Sequence, residues 1–161
     1  MKDLIKDKKI VIVDVETSGI YCGEDGKKPA NILRVNATKI ENGKIGETFS
    51  SYVSCRKVIP EKIVDLTGIN NETLKGAPRI KTVLNELKEF INGYEIYARY
   101  SKFINKFLLY YANKNNIVLE LAKEDNYNEI SKYLNCKEHR EYLKNFTDNE
   151  PLALAKLLVK G

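Results

Sequence analysis

Two acids, Asp14 and Glu16, stand either side of Val15 in the run K-I-V-I-V-D-V-E-T-S-G-I from Lys9 to Ile20. Side chains along a strand alternate between faces, so these two carboxylates share one face while Val13 and Val15 take the other. Two carboxylates on one buried face repel each other and lose hydration unless a cation lies between them, and a divalent metal ion is the usual answer. The alternative is a strand end at which both acids face water. The run alone does not choose between them.

The elements that must position these acids follow from hydrophobic period and turn chemistry. Residues 9 to 16 read as a central strand that leaves through Thr17, Ser18 and Gly19 into a charged, glycine-rich loop from Tyr21 to Pro29. Ile32 to Ile40 and Ile45 to Val53 read as strands joined by Glu41-Asn42-Gly43-Lys44, and Asn-Gly is a strong hairpin signal. The three strands should form an antiparallel meander. Pro60 sits at the start of a short helix that ends in a Thr-Gly turn, and Asn70 is placed to cap another. Pro78 opens an amphipathic helix with Ile80, Val83, Leu84, Leu87, Phe90 and Ile91 on one face, ending at Asn92-Gly93. Tyr94 to Ala98 reads as a fourth strand. Ser101 can cap the next helix, in which Phe103, Ile104, Phe107, Leu108 and Tyr111 recur at helical spacing. Ile117 to Leu121 fits either a fifth strand or a helix start. Ile130 to Leu143 and the closing L-A-L-A-K-L-L-V read as helices. Strands followed by alternating helix, strand and helix predict an α/β fold, a mixed sheet flanked by helices.

A chain of 161 residues suffices for one domain with a proper core and not comfortably for two. At 43% hydrophobic and 30% charged residues its composition is that of an ordinary globular protein, and no apolar run could span a bilayer. The mixed-charge N-terminus lacks a secretory core, so a cytoplasmic location with no membrane partner is expected. Cys22, Cys55 and Cys136 are odd in number and widely spaced, which indicates neither a disulfide framework nor a zinc site. A net charge of +5 permits a nucleic-acid partner without requiring one.

Taken together, the order of features resembles the DEDD superfamily of 3′-5′ exonucleases, in the branch that holds the proofreading epsilon subunit of bacterial DNA polymerase III. The family's first motif, D-x-E-T-x-G, is matched by Asp14 to Gly19. The hairpin K-I-E-N-G-K-I and the stretch I-P-E-K-I-V-D-L-T-G-I-N-N-E-T-L-K-G-A-P also resemble the family closely, so the likeness covers about the first two thirds of the chain. It implies a ribonuclease-H-like fold with a mixed five-stranded sheet, residues 1–161 forming a single exonuclease-like domain. It also implies two Mg²⁺ or Mn²⁺ ions about 4 Å apart where the site is complete, held by four acids, with a general base beside the attacking water. Asp14 and Glu16 would be catalytic metal ligands. Thr17, Ser18 and Gly19 would lie beside the terminal nucleotide with backbone amides available, and Ile20 would pack on its base or sugar.

The later motifs depart from the pattern. The family's A-H-N-A-x-F-D aligns with Ala98-Arg99-Tyr100-Ser101-Lys102-Phe103-Ile104, so Ile104 replaces a metal-ligand aspartate. An aliphatic side chain cannot coordinate a metal. Asn105, one step along the helix, is turned about 100° away. Arg99 occupies the family's histidine, where it could bind substrate phosphate or neutralise Asp14 and Glu16 directly in place of a metal. For the third motif two registers compete. Either His139 takes the base position and Lys144 the metal position, or Asn145 takes the base position and Glu150 the acid. The second keeps the helix spacing and preserves a carboxylate. Asn145 cannot accept a proton as an imidazole does.

Three acids, Asp14, Glu16 and Glu150, therefore stand where four are needed. Loss of a general base typically slows a reaction about 10²- to 10⁴-fold. The expectation is an exonuclease-family domain acting on or binding the 3′ end of single-stranded DNA or RNA, with impaired catalysis and either two metal ions or none. Two alternatives stay open: an active metal-dependent 3′-5′ exonuclease using Asp14, Glu16 and Glu150, or a non-catalytic scaffold for a polymerase or another protein partner.

Overall fold

A computed structural model describes residues 5–123, 141–142 and 149–160. Most of the helix expected at 130–143, together with Cys136, His139 and Asn145, lies outside these residues.

The described chain is an α/β layer structure. Its strands are β1 (Lys9–Thr17), β2 (Ile32–Glu41), β3 (Lys44–Tyr52) and β4 (Glu95–Tyr97), in the sheet order β3-β2-β1-β4. β1 runs antiparallel to β2 and parallel to β4, and β2 runs antiparallel to β3, so the sheet is mixed and begins with the expected meander. The helices are α1 (Glu61–Thr67), α2 (Ile80–Ile91), α3 (Ser101–Lys114) and α4 (Glu150–Lys160). Among the described residues no helix is long and apolar enough to cross a membrane.

Local chemistry explains these boundaries. Asn42 and Gly43 take φ of 50° and 72°, the two left-handed positions of the tight turn that joins β2 to β3. Gly68, at φ 70°, ends α1 with its amide on the Val64 carbonyl. Ser101 is the first residue of α3 and not its cap, a place taken by Tyr100 without a side-chain hydrogen bond. Asn70 caps a turn and not a helix. Its Oδ1 accepts from the Thr73 amide at 2.8 Å, and the chain around it is turn.

The expected fifth strand is absent from the described residues, where the sheet has four. Residues 117–123 are irregular. The backbone groups through which Ala122 could pair with a strand are taken by a side chain. Asn105 Nδ2 donates to the Ala122 carbonyl at 2.7 Å, and the Ala122 amide donates to Asn105 Oδ1 at 3.2 Å. Backbone polar groups must be satisfied, and a carboxamide does so here as a neighbouring strand would.

Two apolar layers sandwich β1. On one face Val11, Val13 and Val15 join Val83, Leu84 and Leu87 of α2 and Ile104, Phe107 and Leu108 of α3. On the other, Ile10 and Ile12 join Ile40, Tyr97 and the Ala153, Leu154, Leu157 and Leu158 stripe of α4. A third cluster, Leu33, Ile59, Ile69 and Leu74, seats α1 and the turn after it beside β2.

Candidate active site

The alternation of β1 places Asp14 and Glu16 on the α4 face, directly after Ile10 and Ile12. Both acids are partly buried. Glu150 approaches from the first turn of α4, whose start is fixed by Asn149 Oδ1 accepting the Leu152 amide at 3.0 Å. The strand from the start of the chain and the helix from its end thus bring Asp14, Glu16 and Glu150 into one electrostatic cluster.

Each of the three carboxyls is pushed above its ordinary range, chiefly by burial. Asp14 moves far upward, because burial, Glu150 and Glu16 all disfavour its charge, against a smaller pull from Arg34. Glu16 is raised by burial and Glu150 against the opposing pull of Arg34. Glu150 is raised by burial even though Arg99 favours its ionised form.

Two guanidinium groups serve this cluster. Arg34 pairs with Glu16 across the β1–β2 ladder and reaches its carboxylate at 4.0 Å. Arg99, just beyond β4, reaches Glu150 at 3.5 Å and lies 5.0 Å from the Tyr100 ring. The sequence reading set Arg99 against Asp14 and Glu16, whereas its ion pair is with Glu150. It missed Arg34 altogether. The available signal was an arginine in the apolar strand run I-L-R-V, and strand register was needed to use it.

Ile104 is in the core, with 1% exposure. It heads the buried stripe of α3 continued by Phe107, Leu108 and Tyr111, and it shares a crevice with Val13, Ala98 and Leu108. Asn105 is held by Ala122.

The turn after β1 is stapled by its own bonds. Thr17 Oγ1 donates to the Gly19 carbonyl at 2.7 Å, and the Asn31 amide donates to Ser18 Oγ at 2.9 Å. The Ser18 amide, expected beside the terminal nucleotide, donates to the Asn31 carbonyl at 2.9 Å. Gly19 lies close to the returning chain, since a Cβ there would meet Ala30 Cβ at 3.4 Å. Ile20, by contrast, is 68% exposed at the tip.

Comparison with known proteins now decides the family. A model of the exonuclease family (RNase_T) matches residues 11–157. The chain belongs to that exonuclease family. It is 36% identical over 118 residues to DNA polymerase III subunit epsilon of Aquifex aeolicus, a match covering 71% of this chain and 56% of that protein. It is 34% identical over 107 residues to the 3′-5′ exonuclease DinG of Bacillus subtilis, covering 66% of this chain and 11% of that one. The chain thus spans about half the length of the first relative and a small part of the second. Among solved structures, the nuclease domain of 3′hExo, a DEDDh family member bound to rAMP, superposes with a TM-score of 0.69 at 16% identity, covering 96% of this chain and 91% of that one. This likeness establishes the ribonuclease-H-like fold.

The family normally uses divalent metal ions, and the described residues do not fit a two-metal centre. Glu16 and Glu150 each face a guanidinium, and Ile104 is apolar core. Among the described residues no three carboxylate, histidine or cysteine side chains converge in a geometry that could hold a metal ion. Glu150 Oε1 is buried without a hydrogen-bond partner, which supplies one donor and not a ligand set.

Proposed function

We propose that this exonuclease-family domain engages the 3′ end of a single-stranded nucleic acid and that its hydrolytic step is impaired. The observation that carries the reading is Ile104. The helix position at which the family pattern calls for an acid is occupied by an aliphatic side chain committed to the core. Asp14, Glu16 and Glu150 are the remnant catalytic acids, brought together where the end of β1 meets the first turn of α4. Exposed Ile20 and the stapled Thr17-Ser18-Gly19 turn offer an apolar contact and a rigid rim for the terminal nucleotide, and Arg99 with Tyr100 offers charge and a stacking surface. The Aquifex relative, named as a subunit of DNA polymerase III, supports a polymerase as the protein partner.

The test uses 3′-labelled single-stranded DNA and RNA with Mg²⁺ or Mn²⁺, beside an Asp14→Ala control. The expected result is measurable binding with nucleotide release about 10²- to 10⁴-fold slower than that of an intact family member such as the Aquifex epsilon subunit. Release at an ordinary rate that vanishes in Asp14→Ala would establish a working enzyme. Neither binding nor release would favour a scaffold.

A further inference from the structure

We propose that Arg34 and Arg99 fill the cationic role at the Asp14, Glu16 and Glu150 cluster, so that the described site is largely neutralised from within the chain and takes up no divalent ion. Arg34 has a side chain only 7% exposed, and its guanidinium stands 4.0 Å from Glu16. Arg99 and Glu150 are each 23% exposed at the side chain and stand 3.5 Å apart. A guanidinium does not lose its proton at any ordinary pH, so both charges are permanent. Two fixed positive charges against three acids leave at most one negative charge for an incoming ion.

Geometry points the same way. Arg34 comes from β2 and meets β1, while Arg99 follows β4 and meets the N-terminus of α4. The two ion pairs tie four elements around the cluster, where a metal ion would otherwise join the acids. An ion that drew Glu16 or Glu150 into its coordination would compete with the guanidinium already paired to that carboxylate.

The acid cluster carries this inference without the nucleic-acid reading. Metal uptake and oligonucleotide binding are separate readouts, so failure of one is distinguishable from failure of the other. The experiment is Mn²⁺ titration of the chelator-treated full chain, followed by loss of the free-ion paramagnetic resonance signal and by thermal melting. The native chain should show no specific uptake and no metal-dependent shift of its melting temperature. Arg99→Gln, which frees Glu150, should gain at least about tenfold in Mn²⁺ affinity, and a further Glu150→Gln change should remove the gain. Arg99→Lys, which keeps the charge, should behave as native. Specific uptake by the native chain that is lost in Asp14→Ala would overturn the proposal, and this arm stands even if Arg99→Gln does not fold. A folded Arg99→Gln that still ignores Mn²⁺ would overturn it equally.

Discussion

On one face of β1, Val11, Val13 and Val15 meet α2 and α3. On the other, Ile10 and Ile12 meet α4, and then Asp14 and Glu16 follow at the same spacing. The first face is apolar throughout, and its contribution is burial. The second is apolar at its start and charged at its end, and its charges are offset by Arg34 and Arg99. Ile104 belongs to the first face, although the family pattern would give its position to the chemistry of the second. At position 104 the side chain contributes to the apolar core.

The sharpest way to break this contrast is Ile104→Asp. Restoring the family's residue puts a charge where 1% of the side chain is exposed, and a loss of about 4 kcal/mol or more is expected in urea unfolding. Unchanged stability together with new Mn²⁺ uptake would mean that position 104 reaches the acid face after all. Next in size is Arg34→Met, which leaves Glu16 without its nearest guanidinium. Glu16 keeps some access to water, so the loss should be about 2 kcal/mol and should shrink when Glu16→Gln is added, a coupling that a double-mutant cycle measures. Asn105→Ala removes both side-chain bonds to Ala122. About 1–3 kcal/mol is expected, with faster hydrogen exchange concentrated at residues 117–123.

The smallest effect is one of slope. Asp14, Glu16 and Glu150 all hold their protons more tightly folded than unfolded. Their stabilising contribution is therefore complete below the ordinary carboxylate range of about 4 and is lost as pH rises through the raised folded values. In chelator-containing buffer, stability of the native chain should fall with pH across that window. Asp14→Asn should flatten the fall, as chemical denaturation at several pH values would record.

Much of this architecture was legible before the structure. The Asn42-Gly43 hairpin, the helical stripe of α2 and the short β4 are local features, fixed by turn chemistry and hydrophobic period. The same period contained the fate of Ile104, because its spacing to Phe107, Leu108 and Tyr111 is that of a buried helical stripe. The fifth strand was misread because Ile117 to Leu121 has strand-like composition, while the Asn105 side chain that satisfies Ala122 leaves no pattern in it. The arginine pairs were illegible for another reason. Arg34 finds Glu16 through strand register, and Arg99 finds Glu150 only once α4 has packed on the sheet. His139 and Asn145, the competing bases, lie outside the described residues.

The central claim is that the acid face binds without metal-dependent turnover. Fluorescence anisotropy of a 3′-labelled single strand, recorded over time with the native chain in chelator and then in excess Mn²⁺, tests it most directly. The account predicts the same affinity in both conditions and loss of the labelled nucleotide about 10²- to 10⁴-fold slower than with an intact family member. Binding that requires Mn²⁺, followed by rapid loss of the labelled nucleotide, would contradict it.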